Sequence, residues 1–122
     1  MSGADILVDT NVLIYTMEEH PSVRGLRACA PVISVVSEIE LLGKRNISAE
    51  EAIVIRELLK GYPIIPLSEE VKEAAILLKQ KYAIKTPDAI IAATAKSLGL
   101  VLITADKNFS RIEEVDAILL TL

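Results

Sequence analysis

The sequence is poor in cysteine and in aromatic residues. Cys29 is the only cysteine among 122 residues, which excludes an intrachain disulfide and argues against a thiolate-rich zinc site. We expect Cys29 to be a small buried side chain. Aromatic residues make up 3% of the chain, and the rings on which a nucleic-acid base could stack are Tyr15, Tyr62, Tyr82 and Phe109. Any nucleic-acid recognition should therefore depend on shape and backbone charge.

Long hydrophobic runs are also missing, although 52% of the residues are hydrophobic and the mean hydropathy is +0.44. The apolar stretches are short and broken by charges, and none approaches the roughly 18–20 apolar residues of a membrane span. The first residues lack the basic and apolar regions of a signal peptide, because Asp9 interrupts their only hydrophobic run. We therefore expect a cytoplasmic protein with no membrane segment.

An excess of positive charge is missing as well. The formal net charge is −4 and the pI is near 5.0, whereas nucleic-acid-binding domains usually carry a basic surface. This balance counts against a nucleic-acid partner unless the acidic side chains are concentrated at a metal site, where bound divalent ions would cancel their charge locally.

The chain length is that of one domain, which we place at residues 1–122. Short aliphatic runs alternate with stretches of helical periodicity, and this alternation is typical of a three-layer α/β/α fold with a mainly parallel sheet of four to five strands. The predicted strands are 6–8, 31–34, 64–67, 100–104 and 117–120, and the predicted helices begin near residues 12, 35, 49, 69 and 87.

Several helix ends can be predicted from individual residues. Ser48 and Glu51 form a capping box, and Gly43 and Gly99 should end helices. Thr86 should cap a helix that has Pro87 at its first position. His20 is the single histidine, and its place before Pro21 favours a partner of the preceding helix's C-terminal dipole over a catalytic role.

Three acidic residues lie where a parallel sheet would bring them together. Asp9 directly follows the first strand, Asp106 follows the fourth strand by two residues, and Asp88 begins the helix that leads into that strand. The binding crevice of such sheets lies beyond the carboxyl ends of the strands. Taken singly, Asp88 could be an ordinary helix N-terminal acid and Asp106 a turn residue.

A fourth acid comes from the helix after the second strand. Glu38 and Glu40 flank Ile39 on opposite sides of the helix's apolar face, so at most one of them should enter the crevice. Helical periodicity does not choose between the two.

Clustered carboxylates need a cation, because two unit charges about 4 Å apart repel by roughly 4 kcal/mol at an effective dielectric near 20. Oxygen ligands of this kind suit Mg²⁺ or Mn²⁺. Such an ion can activate a bound water for attack on phosphorus. The acids therefore indicate metal-dependent phosphodiester hydrolysis.

Four segments resemble the successive motifs of PIN domains, and most of all those of VapC-type toxins from bacterial and archaeal toxin–antitoxin pairs. The segments are DTNVLI at 9–14, ELLG at 40–43, PDAIIAATA at 87–95 and LITADKNF at 102–109. Together they cover nearly the whole chain in the family's order.

The resemblance implies a function and a site. The family's four acids match Asp9, Glu40, Asp88 and Asp106, so Glu40 rather than Glu38 is the expected helical acid. Asn11 and Thr104 match supporting polar positions, although helix capping and strand-end hydrogen bonding explain them as well. The resemblance implies an endoribonuclease that acts on RNA and depends on Mg²⁺ or Mn²⁺, with the metal held by the same four acids. It also implies a homodimer that is inhibited by a small antitoxin protein.

Other functions are compatible with parts of the sequence. Asp9 to Leu13 approximates the nucleophile motif of haloacid-dehalogenase-like phosphatases, with Asn11 in place of the second acid. A receiver-like signalling module would need a phosphoacceptor where Leu67 and Ser68 stand, and a PIN fold could also serve only as a scaffold.

Two further surfaces can be proposed from the sequence. Basic residues near the predicted crevice could hold phosphates; they are Lys44, Arg45, Lys85 and Lys107. A homodimer should use apolar side chains on the helices outside the crevice; they are Ile53, Leu59, Ile76 and Leu77.

Overall fold

The structure is a computed structural model that describes residues 5–121, so residues 1–4 and 122 of the predicted domain lie outside the described residues. Helices and strands follow one another along the chain in the predicted order. They are β1 Ile6–Val8, α1 Thr10–Met17, β2 Ile33–Ser34, α2 Val35–Leu42, α3 Ala49–Leu59, β3 Ile64–Ile65, α4 Glu69–Lys81, α5 Thr86–Leu98, β4 Val101–Thr104 and β5 Ala117–Leu119. Short 3₁₀ turns cover Pro21–Val23, Leu26–Cys29 and Lys107–Arg111.

All strand pairs are parallel, as predicted. Strand β4 lies between β1 and β5, while β2 and β3 form a separate pair. A single parallel bridge between Leu7 and Val32 joins the two groups, so the predicted single sheet is divided. The division follows from the length of β2, because Ser34 already caps α2 and leaves only two residues for the strand. Strand β3 ends before Pro66, which has no N–H to continue a ladder.

The three predicted layers are confirmed by two hydrophobic cores on opposite faces of the sheet. Alternate residues of the strands point in opposite directions. Leu7 and Leu102 pack with helices α4 and α5 in one core, whereas Val8 and Ile103 pack with α1 and α3 in the other. Each face of the central strands is therefore covered by helices, as in α/β proteins generally.

Most predicted helix ends are correct. Gly99 ends α5 in the left-handed conformation with φ of 65°. Ser48 accepts a hydrogen bond from the backbone N–H of Glu51, which forms one half of the predicted capping box, whereas the Glu51 carboxylate is hydrogen-bonded to Lys44. The start of α5 differs from the prediction, because Thr86 is already helical and Lys85 is the cap, without a side-chain hydrogen bond.

Two other predictions about single residues are wrong. Cys29 is exposed, because it lies in a 3₁₀ turn that has no buried residue. The His20 side chain does not act on the C-terminal end of α1 as predicted; its Nδ1 accepts a hydrogen bond from the backbone N–H of Ser22 and so caps the next turn, while its backbone N–H donates to the carbonyl of Tyr15 in α1. Within residues 5–121, no helix is long and apolar enough to cross a membrane.

Candidate active site

Strands β1 and β4 place two carboxylates at one edge of the sheet. The strands are parallel neighbours, with Val8 opposite Ile103, so Asp9 and Thr104 follow at the same carboxyl edge. Asp106 comes two residues later and caps the 3₁₀ turn Lys107–Arg111 through the backbone N–H of Asn108. The predicted convergence of Asp9 and Asp106 thus follows from strand register.

The Asp9 carboxylate is buried, with only 5% of the residue exposed. Its Oδ1 accepts a hydrogen bond from the backbone N–H of Thr10 at 2.7 Å, which makes Asp9 the cap of α1. Its Oδ2 accepts a hydrogen bond from the hydroxyl of Thr104 at 2.8 Å. Both carboxylate oxygens therefore have a partner, and the orientation of the side chain is defined.

Thr104 connects Asp9 to Asp106. The residue is completely buried, and its Oγ1 also accepts a hydrogen bond from the backbone N–H of Asp106 at 3.0 Å. One hydroxyl thus donates to the first acid and accepts from the backbone of the fourth. Thr104, which was predicted as a supporting residue, therefore makes two hydrogen bonds to the segments that carry the acids.

Thr10 makes the corresponding connection to Glu40. Its hydroxyl donates a hydrogen bond to Glu40 Oε1 at 2.7 Å and lies 2.8 Å from the hydroxyl of Ser37. Because the single Thr10 proton is used by Glu40, the buried Ser37 hydroxyl must donate to Thr10. Glu38 instead lines a shallow groove beside Arg56 and Lys60.

Sequence analysis missed Thr10 and Ser37. The only available signals were the position of Thr10 directly after Asp9 and the i, i+3 spacing of Ser37 and Glu40 on one helix. Neither signal shows that α1 and α2 approach each other.

Asp88 lies in the first turn of α5 and is half-buried. Burial raises the pKa of its carboxyl group, the carboxylates of Asp106 and Glu40 raise this pKa further, and Lys85 opposes them. The pKa of Asp9 is also raised, mainly by burial; hydrogen bonds from Thr104 and Thr10 lower it, and the charges of Asp88 and Glu40 raise it. The four acids therefore share one electrostatic environment.

One cleft of about 520 Å³ is lined by all four carboxylates. Asn11 also lines it, whereas Thr104 lies buried behind Asp9. Its apolar lining residues include Ile14, Leu41 and Ile55, and two further acids, Glu18 and Glu51, also line it. The cleft thus combines acidic and apolar side chains.

Only some of the predicted phosphate-binding residues lie at this cleft. Lys44 lines it but is paired with Glu51, at 2.9 Å between Nζ and Oε2. Lys85 is close enough to Asp88 to affect its pKa. Arg45 and Lys107 are not among the residues that line the cleft.

The sequence matches the PIN domain family over residues 6–115. The chain belongs to the PIN-domain family. This result confirms the resemblance seen in the four motifs, and it decides against the dehalogenase-like and receiver-like alternatives for a region that includes all four acids.

Several solved structures with the same fold come from toxin–antitoxin complexes. A toxin–antitoxin complex from Klebsiella pneumoniae contains a chain 30% identical to this PIN domain, with a TM-score of 0.76 and coverage of 93% of this chain and 95% of that chain. DNA-bound VapBC from Salmonella typhimurium and VapBC2 from Rickettsia felis bound to a promoter DNA fragment are each 20% identical, with TM-scores of 0.85 and 0.80. Both similarities cover 95% of this chain and 98% of the other chain. A search of curated proteins found no match.

The donor set of this PIN domain suits a hard divalent cation, because carboxylate oxygens are the ligands that Mg²⁺ and Mn²⁺ prefer. The pKa values of Asp9 and Asp88 are raised mainly by burial and further by neighbouring carboxylates, so a cation would stabilise the charged forms of both. Within residues 5–121, no three acid, histidine or cysteine side chains lie close enough together to hold a metal ion as they stand. The fit to a cation therefore depends on the chemistry of the donor set that lines the cleft.

Proposed function

We propose that the chain is a divalent-metal-dependent endoribonuclease that hydrolyses RNA phosphodiester bonds. The observation that carries this proposal is the convergence of Asp9, Glu40, Asp88 and Asp106 on one cleft. These acids come from four separate segments of the chain, and ordinary folding would gain nothing from bringing their charges together.

The four acids would hold Mg²⁺ or Mn²⁺. When bound, such an ion neutralises the carboxylates, activates a water molecule for attack on phosphorus and stabilises the leaving oxygen. The choice of these acids as ligands, like the choice of metal, is part of the proposal.

The protein's own contribution is to hold the carboxylates in position. Thr104 and the backbone of Thr10 keep Asp9 oriented and favour its charged form, against the effect of burial. The Thr10 hydroxyl orients Glu40 in the same way. Asn11 lines the cleft and could orient a water molecule or a carboxylate with its amide.

We propose further that the chain is the toxin of a toxin–antitoxin pair and is inhibited by a small antitoxin protein. The 30% identity to a chain of the Klebsiella pneumoniae complex supports this role. The apolar lining residues Ile14, Leu41 and Ile55 offer a surface for an antitoxin segment, which could direct a basic side chain toward the acids.

A homodimer remains part of the proposal. Ile53, Ile76 and Leu77 are exposed, which supports an apolar contact made by α3 and α4. The sequence-based choice of Leu59 is wrong, because this residue is 5% exposed and packs in the core with α1. Light scattering at micromolar concentration should show a dimer; a monomer would contradict this part alone.

The nuclease proposal is tested by cleavage of single-stranded RNA with added Mn²⁺. The substitution Asp88→Asn should abolish cleavage, because it removes one candidate ligand without adding bulk. Glu73→Gln is the matched control, since Glu73 is exposed on α4 and lines no part of the cleft. Equal activity of Asp88→Asn and wild type would reject the proposed site, and a folded wild type that never cleaves RNA would favour a PIN scaffold.

A further inference from the structure

A second groove adjoins the acidic cleft at the far end of α1. It has a volume of about 580 Å³ and is formed by the end of α1, the two 3₁₀ turns after it and Leu58 of α3. Met17 lines both this groove and the acidic cleft, so the two depressions are neighbours on one surface.

The charged side chains that line the groove are mainly positive, whereas those that line the cleft are mainly negative. Arg24 and Arg27 line it, both are exposed, and within residues 5–121 neither has a carboxylate within salt-bridge distance. Glu19 is its single acidic lining residue. In a chain with a net charge of −4, two uncompensated guanidinium groups in one groove are a local basic site.

The local fold brings the two arginines to one groove and restrains Arg27. Gly25 lies between the two 3₁₀ turns with φ of 85°, a left-handed conformation that glycine adopts without strain, and both arginines line the same groove. The Arg27 guanidinium lies 5.8 Å from the ring centroid of Tyr62, which is buried. This contact restrains the charged group without neutralising it.

We propose that this groove binds the sugar–phosphate backbone of the RNA strand whose reacting phosphate lies in the acidic cleft. The inference rests on the nuclease proposal. A bound divalent ion would cancel the charge of the acids at the reacting phosphate only, and the one lysine that lines the cleft, Lys44, is already paired with Glu51. Cationic groups beside the cleft would add affinity for the neighbouring phosphates, and an arginine fork suits that group well.

The spacing of the two sites suits one strand. Asp9 caps the start of α1 and Met17 ends it, and a rise of 1.5 Å per residue separates them by about 12 Å. A strand of a few nucleotides can span this distance. The groove would then read no base identity, and it would set the direction in which the substrate crosses the cleft.

The test is RNA binding by the double variant Arg24→Gln with Arg27→Gln, measured by fluorescence anisotropy with a short single-stranded RNA. Binding is measured in the Asp88→Asn background with Mg²⁺ present, so the result does not depend on cleavage. The control is Lys72→Gln with Lys96→Gln, which removes the same charge from α4 and α5 on the opposite face of the sheet.

We expect the arginine variant to bind RNA about tenfold more weakly at low salt. The slope of log affinity against log salt should fall by about 1.4, since each neutralised phosphate contributes about 0.7 for a single strand. In the cleaving protein, the same variant should raise KM and leave kcat nearly unchanged. The lysine control should alter none of these quantities.

The inference is overturned if the arginine variant keeps the wild-type affinity and salt slope, or if the lysine control weakens binding equally. If the double variant does not fold, the charge-preserving variant Arg24→Lys with Arg27→Lys is measured instead. It should keep the wild-type slope of log affinity against log salt and lose part of the affinity. A smaller slope in this variant would contradict the inference. Arginine-dependent binding without any cleavage by the wild type would support the groove and reject the nuclease proposal.

Discussion

Replacement of Thr104 by valine should separate its hydrogen bonds from its shape. Valine fills nearly the same space and suits a strand end, but it cannot donate to Asp9 Oδ2 or accept from the backbone N–H of Asp106. A hydrogen bond to a charged group contributes about 1.5–3 kcal/mol and a neutral one about 0.5–1.5 kcal/mol. We therefore expect Thr104→Val to lower the free energy of unfolding by about 2–4.5 kcal/mol near neutral pH.

The assay is urea unfolding of the metal-free protein at several pH values. The difference in free energy of unfolding between wild type and Thr104→Val should be largest above the raised pKa of Asp9, where the carboxylate is charged in the folded state. This difference should become smaller as pH falls through that pKa, because the protonated carboxyl group makes only a neutral hydrogen bond. The stabilising contribution of Thr104 is lost in this direction because the hydrogen bond from Thr104 lowers the pKa of Asp9 and so stabilises its charged form.

Thr104→Ser is the matched control. Serine keeps the hydroxyl group and loses one buried methyl group, which costs about 1 kcal/mol. If Thr104→Val is as stable as wild type, or if serine is as destabilising as valine, the hydroxyl does not hold the acids together and the argument for its positioning role fails.

Two further predictions concern the acids themselves. Glu40→Gln should lower the rate of RNA cleavage by orders of magnitude and Glu38→Gln should change it little, because only Glu40 lines the cleft; equal losses in cleavage assays would show that both acids serve the reaction. Asp88→Asn should make the metal-free protein more stable than wild type at neutral pH, since the raised pKa of Asp88 means that its charge is unfavourable in the folded state. This advantage should shrink as pH falls toward the ordinary aspartate pKa of about 3.9, and urea unfolding that shows a constant or growing advantage would contradict it.

The positions of the acids could be predicted because they depend on strand ends. Asp9 and Asp106 follow parallel neighbours, and an aliphatic run followed by a carboxylate is visible in the sequence. The face of α2 that meets the cleft could not be obtained from periodicity, since Glu38 and Glu40 flank the apolar face symmetrically. The resemblance to PIN domains favoured Glu40, and the structure places that residue in the cleft.

The hydrogen-bond network around the acids could not be predicted. The Thr10 contacts reach Ser37 and Glu40, which are 27 and 30 residues away in the chain, and Thr104 is 95 residues from Asp9. Such contacts depend on how α1 crosses α2 and on the register of β1 and β4. Local sequence patterns do not show how two helices cross or how two strands align. Only the family motif indicated Thr104, and the i, i+3 spacing from Glu40 did not show that Ser37 would meet Thr10.

Net charge is a poor guide to the partner of this chain, because its charges are separated in space. The four acids share the cleft, while Arg24 and Arg27 share the adjoining groove. Coulomb interactions at a protein surface decay over a Debye length of about 8 Å at physiological ionic strength. A substrate phosphate in the groove, about 12 Å along α1 from Asp9, would therefore interact more strongly with Arg24, Arg27 and Glu19 of that groove than with the four acids. The acidic pI and an RNA partner are compatible once the charges are counted locally, and the salt dependence of RNA binding measures that local count.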